Sequence, residues 1–381
     1  MQLIPFVKYT SCGNNFVIVD ETEQSILTEA EKSRFAFQAT NTSFGVGCDN
    51  LLVIQRCDAQ TLQTIAKARP YWSAPPDAQQ ADFLFRMFEP SGEEALCCGN
   101  GLMCVASYLY QQHGVEVARI MTEIPLARPK SISIGAGKGR QGGWANLGDP
   151  RCAPPELLAP GHTVDEDGVI ERIENLIIKF RLDDLKAYTA AQELVMSGYL
   201  VFTGEPHLVI FPDRDFSIPA LADCIFGNAE QPDRRERFGS WLVEHIGAYM
   251  NSRYRHIFPA GINVNFARRR SHAVLENRCF ERGINRETLA CGTGALAVAY
   301  VYSQMNRLDL SEIDILPHRC RWHDAEASIR IEQTASGWHL SSNPMLLFDG
   351  VYRLLAESNR LVTALTHEVG ITARDAVSRV G

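Results

Sequence analysis

The chain has 381 residues, enough for two domains with sizeable cores. Its balance of 45% apolar to 22% charged residues is that of a globular protein, which excludes disordered, collagenous and coiled-coil classes. The net charge of -8 gives no support to non-specific nucleic-acid binding, and the basic run from Arg268 to Arg270 is too short to reverse it.

The opening stretch, MQLIPFVKYTSCGNN, lacks a charged region followed by an apolar one, so export is not expected. Strand-like runs follow at Phe16 to Val19 and Leu51 to Ile54. The segment from Gln60 to Ala81, with Pro70, Pro75 and Pro76, reads as an inserted surface excursion. A strand is expected at Phe83 to Phe88. Next comes LCCGNGLMCVASYL from Leu96, where Cys-Gly-x-Gly opens an apolar run that suits a buried helix. GAGKGRQGG, from Gly135, lacks the Gly-Lys-Ser/Thr ending of a phosphate loop and reads as a loop or hairpin. The charged stretch from Asp165 to Asp184 reads as a second excursion. Further strands are expected at Leu176 to Phe180, Leu200 to Phe202, Leu208 to Phe211 and Ile262 to Phe266. Thr288 to Asn306 is uncharged, but Gly292 and Gly294 interrupt it, so it reads as a loop plus a buried helix rather than a membrane span.

That last stretch repeats an earlier one. LACGTGALAVAYVY, from Leu289, shares Leu-x-Cys-Gly-x-Gly with the segment at Leu96, and each carries Val-Ala at the same offset from its cysteine (Val105-Ala106, Val298-Ala299). GNNFVIVD from Gly13 is echoed more weakly by GEPHLVIF from Gly204. A repeat at this spacing indicates two similar domains rather than a solenoid. The expected fold class is α+β: two pseudo-symmetric domains, each a mixed sheet wrapped around a central apolar helix.

The eleven cysteines form no CxxC pair and no even framework, which argues against a secreted disulfide scaffold and a structural zinc site. A reducing cytoplasm is the expected setting. Cys57, Cys104, Cys152, Cys224, Cys279 and Cys320 read as small packing residues. Cys98 and Cys291 differ. A cysteine at a helix N-terminus meets unpaired backbone N–H groups and the positive end of the helix dipole, which favour the thiolate and can hold a substrate carboxylate. Two such sites facing each other place one thiol on each side of an amino-acid Cα. One thiolate removes the α-proton and the opposite thiol returns one to the other face, with no metal and no other cofactor required.

The ordered motifs resemble those of the diaminopimelate epimerase family over most of the chain, outside the insertions and the final residues. SCGNNFVIVD is similar to the family's opening motif and places its substrate asparagine at Asn14. GVGCDNLLV resembles the family's Gly-x-Gly-x-Asp-Gln, with Asn50 replacing glutamine. CCGNG carries over Cys98, Gly99 and Asn100; INVNF carries over Asn263. ERGINRETLACGTG carries over Glu281, Arg282, Cys291, Gly292 and Thr293, with one extra residue before Thr288. The resemblance implies a two-domain amino-acid epimerase of lysine biosynthesis with Cys98 and Cys291 as its acid–base pair, able to join as a disulfide when oxidised. It also implies a strand near the C-terminus, about Met345 to Arg353, returning to the first domain. The expected division is 1–124 plus about 345–357, then 125–344, with 358–381 as an extension. The expected ligand is a small-molecule amino-acid substrate; a homodimer is compatible with the family, and neither nucleic acid nor membrane is expected as a partner.

Two positions depart from the family. Its two distal-end asparagines are replaced by Glu89, in FEPSGEEALCCGNG, and by Glu205, in GEPH, where His207 is retained as a pocket-wall residue. Two carboxylates would repel the distal carboxylate of diaminopimelate and suit a cationic side chain. The reading is racemisation of lysine, ornithine, arginine or histidine. The alternative, in which Glu205 pairs with Arg282 or the carboxylates point elsewhere, keeps diaminopimelate as substrate. Proline-racemase chemistry, a carboxylate-based isomerase and an inactive binding or thiol redox-sensor protein are the rival classes. Cys97 reads as core packing that points away from the cleft, and Cys12 and Cys48 as wall residues.

Overall fold

The computed structural model describes residues 2–137, 140–157, 159, 169–181, 192–227, 234–308 and 311–354. The first part of the chain forms β1 (Gln2–Ser11), β2 (Asn14–Glu21), α1 (Glu29–Thr40), β3 (Asn50–Arg56), α2 (Ala59–Ala68), β4 (Phe83–Phe88), β5 (Glu94–Ala95), α3 (Gly99–His113), β6 (Val117–Thr122), β7 (Lys130–Gly137) and β8 (Arg140–Gly148). The second part forms β9 (Glu171–Lys179), β10 (Glu193–Phe202), β11 (Pro206–Ile210), α4 (Pro212–Asp215), α5 (Pro219–Ile225), α6 (Arg234–Arg253), β12 (Asn263–Arg269), β13 (Val274–Glu281), β14 (Arg286–Thr288), α7 (Gly292–Asn306), β15 (Glu312–Pro317), β16 (Ile329–Thr334) and β17 (Gly337–Ser342). A final strand, β18 (Met345–Leu354), returns to pair antiparallel with β1, from Gln2 opposite Leu354 to Thr10 opposite Met345.

The strands fall into two runs with the same plan. The first is β18-β1-β2-β3-β4-β6-β7-β8. The second is β9-β10-β11-β12-β13-β15-β16-β17. Along both, successive pairings are antiparallel twice, parallel, antiparallel, parallel, then antiparallel twice. The runs meet where β8 pairs with β17. Each parallel pairing needs a crossover, and α3 and α7 supply it at matching places, between β4 and β6 and between β13 and β15. The duplication inferred from two short motifs therefore extends through the whole architecture.

Both central helices are buried for most of their length, through Leu109 in α3 and Ser303 in α7. Apolar residues fill every face of these helices, so no side is left for solvent. Leu102, Met103 and Val105 share one core with Leu296, Val298 and Val301. Gly114, at φ 67°, ends α3 in the left-handed region that glycine tolerates. At the other helix Arg307 takes that role, at φ 48°.

The stretch from Gln60 to Ala81 is more than a surface excursion. Leu62, Ile65 and Trp72 are buried in a separate cluster with Leu84 and Met121. The Trp72 indole N–H donates to the carbonyls of Ile124 and Leu126, each at 3.1 Å. The prolines at 70, 75 and 76 hid this layer because its anchors, two aliphatics and one indole, are sparse in sequence. Within 165–184, β9 is an ordered edge strand paired to β10; 165–168 and 182–184 lie outside the described residues. Gly135–Gly137 and Arg140–Gly143 lie on the paired strands β7 and β8, and 138–139 lie outside the described residues. The extension from 355 onward lies outside the described residues. Among the described residues no helix is long and apolar enough to cross a membrane.

Candidate active site

Cys98 and Cys291 are the N-cap residues of α3 and α7. Each sulfur accepts the backbone N–H three residues on, from Gly101 and from Gly294, both at 3.4 Å. The two helix starts meet. A Cβ placed on Gly292 would lie 2.9 Å from the Cα of Gly99 and 2.8 Å from the nitrogen of Asn100, closer than real Cβ contacts. Glycine is required at both positions to bring two helix N-termini, and two thiols, to one place.

A narrow cleft lies over this junction. Its walls include Cys98 and Cys291 with Asn50, Glu89, Glu205, Asn263, Glu281, Arg282 and Thr293. Met87, Cys97 and Ile284 complete the lining. Roomier hollows elsewhere, such as the one lined by Glu21 and Ala68, lie away from the cysteines. Cys97 borders the cleft and is also a buried member of the shared core, lying against Gly204. Asn14, Gly99, Asn100 and Gly292 form the layer around the cleft. Asn100 donates to the side-chain oxygen of Asn14 at 2.7 Å, and its own Oδ1 is buried with no partner among the described residues. His207 is fully buried behind the wall, where it bridges the Thr293 hydroxyl at 3.0 Å and the Asn265 amide at 2.9 Å. Burial and the nearby Arg282 charge push its pKa down to about 3, so it is a neutral strut. Cys12 and Cys48 are not among the cleft-lining residues.

The two thiols are electrostatically unequal. Cys291 is held below the ordinary thiol range, chiefly because the Cys279 thiol hydrogen-bonds to it; the Thr293 hydroxyl and the Gly294 N–H add to this against burial. Cys98 is pushed well up by burial, and by the negative charges of Glu281 and Cys291. The helix dipole, expected to lower both, is outweighed at Cys98. Such a pair can hold one thiolate and one thiol at once, the state that moves a proton from one side of a carbon to the other.

The carboxylates are also unequal. Glu205 is spoken for: it accepts the N–H groups of Leu96 and Cys97 at 3.2 and 3.3 Å and a two-pronged ion pair from Arg282, whose Nε lies at 2.8 Å. Glu89 packs against Gly283. Burial and the Glu205 charge raise its pKa to about 7. Glu281, hydrogen-bonded by the Thr288 hydroxyl, is raised well above the carboxylate range by burial and Cys291.

Known proteins resemble this chain in sequence and in fold. A diaminopimelate epimerase from Archaeoglobus fulgidus is 30% identical over 361 residues, spanning 92% of this chain and 97% of that protein. The chain belongs to the diaminopimelate epimerase family. The family model itself matches residues 6–125, and the Bacillus subtilis diaminopimelate epimerase is 28% identical over 84% of this chain and 89% of its own. Among solved structures, a hydroxyproline epimerase from Agrobacterium vitis with bound trans-4-hydroxy-L-proline matches at TM-score 0.55 and 11% identity, over 93% of both chains. A probable proline racemase from Agrobacterium radiobacter matches at 0.54 and 10%, again over 93% of both. These two likenesses concern the fold. As a member of the diaminopimelate epimerase family the chain is an isomerase of the epimerase and racemase kind.

Within this epimerase-family framework, three groups escaped the sequence reading. Asp49 accepts the Asn15 N–H at 2.9 Å and pairs with Arg286 at 2.9 Å, tying the loop before β3 to β14 of the other run. Cys279 stands beside Cys291; nothing in a lone mid-strand cysteine signals this. Arg86 and Arg278 are buried cations at matching places. Leu51 pairs with Phe88 and Val264 with Phe280, so Arg86 matches Arg278 and Glu89 matches Glu281. Set side by side, RMFEPSGEEALCCGNG and RCFERGINRETLACGTG carry that signal in plain view.

Proposed function

We propose that this chain is a cofactor-independent amino-acid racemase in which Cys98 and Cys291 invert Cα from opposite faces, and that its favoured substrate carries a cationic side chain. The observation that carries the reading is one cleft lined by both thiols and by Glu89, Glu205 and Glu281, with Arg282 as the one cation among its lining residues.

The α-carboxylate of the substrate lies between the starts of α3 and α7. Their first-turn N–H groups and dipoles favour an anion there and stabilise the charge that grows as the α-proton leaves. Asn100 and Thr293 flank that position, and Asn14 orients Asn100. The Cys291 thiolate takes the proton from one face and the Cys98 thiol gives one to the other. In the reverse direction the roles exchange. Acid–base help of this kind contributes about 10²- to 10⁴-fold in rate.

The far end of the substrate meets Glu89, Glu281, Asn50, Asn263 and the Glu205–Arg282 pair. Arg282 is already engaged by Glu205, so it offers little to a second carboxylate, whereas Glu89 offers a charge to an ammonium or guanidinium. The second reading is diaminopimelate itself; the names of the curated relatives favour it, and the contact between Glu205 and Arg282 leaves a smaller net negative charge than two free carboxylates would.

The test is deuterium uptake at Cα in heavy water without pyridoxal phosphate. LL-diaminopimelate and the L-forms of lysine, ornithine, arginine and histidine are each followed by chiral chromatography. Uptake with inversion of a basic amino acid is expected, and the inversion is lost in Cys98→Ala and Cys291→Ala. Uptake with diaminopimelate alone overturns the substrate assignment. Full inversion in either alanine variant overturns the two-thiol mechanism.

A further inference from the structure

A third thiol adjoins the cleft. Cys279 and Glu281 are two residues apart on β13, so both project to the same side of the strand. The β13–β14 hairpin sets Cys279 opposite Thr288, and three residues later the chain reaches Cys291 at the start of α7. The result is a compact trio: the sulfurs of Cys279 and Cys291 and a carboxylate oxygen of Glu281 all lie within 4.8 Å of one another.

Two thiolates and a carboxylate are the donor set of a zinc-class ion rather than of magnesium or calcium, which favour oxygen alone. Three protein donors leave a fourth position free, and here Glu281 and Cys291 face the cleft. The other half of the molecule serves as an internal comparison. At the places matching Cys279, Glu281 and Cys291 it has Met87, Glu89 and Cys98. A thioether cannot lose a proton to become an anionic ligand, and among the described residues only the second half brings three such donors together.

We propose that Cys279, Glu281 and Cys291 form a site for a thiophilic divalent cation, and that its occupation switches the isomerase off by capturing Cys291. Binding exchanges protons for the ion: the thiol protons, and that of Glu281 where it is protonated, pass to water as the metal–ligand bonds form. No electron is transferred, so a chelator restores the free thiols. The cation acts as an inhibitor of proton transfer at Cys291, and the reaction itself needs none.

The experiment is a titration of the full chain with Cd²⁺ alone, read by the ultraviolet charge-transfer band of cadmium–thiolate bonds and by equilibrium dialysis. Because it reads bound metal, it stands whether or not any amino acid is turned over. The expected result is one tight site per chain that weakens by about tenfold or more in Cys279→Val, in Cys279→Ser and in Glu281→Gln, and survives in Cys98→Ala. Near-ultraviolet circular dichroism establishes that each variant is folded, and the serine variant retains the size of the site. Loss of the band in Cys98→Ala with full binding in both folded Cys279 variants overturns the proposal, placing the ion between the two cleft thiols instead. Binding unchanged in every variant overturns it as well.

Discussion

Gly99 and Gly292 touch across the junction of α3 and α7, with room for no Cβ on either. The contact sets the separation of the two cysteines that precede them, since each cysteine is the cap of its own helix. Gly292→Ala places a methyl against the Asn100 nitrogen and must push the helices apart. The expected cost is about 1–3 kcal/mol of stability together with a fall of roughly 100-fold in activity, because an error near 1 Å at the reacting groups is felt that strongly. Thermal unfolding and α-proton exchange measured on the same protein check both halves. Normal exchange in the alanine variant would refute the idea that this contact sets the thiol geometry.

The unequal thiols give a second expectation. At neutral pH iodoacetamide should modify Cys291 ahead of Cys98, since the thiolate is the reactive form and only Cys291 is held low. Peptide mass mapping after brief exposure reads the order. Removing the Cys279 donor, as Cys279→Val, should slow modification of Cys291 relative to Cys98.

How far the sequence spoke can be judged from these same residues. Cys98, Cys291 and their glycines were legible because a helix-start thiol leaves a short contiguous motif, and its repetition revealed the duplication. The pairing of Glu205 with Arg282 was not decided by sequence, since 77 residues separate them and either could have faced the substrate instead. Cys279 was invisible because its importance comes from strand register alone. Trp72 and its cluster were masked by surrounding prolines, which signal turns more strongly than a few buried side chains signal a core.

The buried arginines yield a stability prediction. Arg86 holds Glu29 and Glu94 through bonds of 2.6–2.7 Å with no side-chain exposure. At the matching place Arg278 holds Glu287 and Glu236. Each pins the loop that leads to its cysteine. Arg86→Met takes the guanidinium from two interior carboxylates, leaving Glu29 with Lys32 and Glu94 with the Tyr71 hydroxyl, and should cost about 3 kcal/mol, with Arg278→Met similar because Glu287 keeps Arg319 and Glu236 keeps His318. Denaturant unfolding reads the loss. A cost under about 1 kcal/mol would show that these remaining partners suffice.

Glu89 links stability to pH. Its carboxyl titrates near 4.5 when unfolded and at about 7 in the native cleft. Between these values the folded chain keeps a proton that the unfolded chain has lost, so stability is complete below pH 4.5 and falls as pH rises through 7. Glu89→Gln removes the penalty. Above pH 7 it should be more stable than the parent by on the order of 2 kcal/mol, and near pH 4.5 the two should converge. Unfolding midpoints across this range decide the matter; a parallel pair of curves would place Glu89 in a less buried setting.

The two glutamates also offer a test of specificity by substitution in place. Glu205 occupies Arg282 and accepts two backbone N–H groups that lead into Cys98. Glu205→Asn keeps an acceptor for those N–H groups and releases the guanidinium; Glu89→Asn removes the charge that would repel a distal carboxylate. The double change restores the amides found in the diaminopimelate epimerase family. If the cationic-substrate reading holds, it should move the ratio of kcat/KM for diaminopimelate over the best basic amino acid upward by about 100-fold. A new two-pronged ion pair between Arg282 and the distal carboxylate, with the repulsion from Glu89 removed, is worth about 3 kcal/mol in all. Most of the change should appear in KM, since Cys98 and Cys291 stay in place. A parent enzyme that already prefers diaminopimelate, and a double variant that loses activity on it, would instead make the Glu205–Arg282 pair part of the diaminopimelate site.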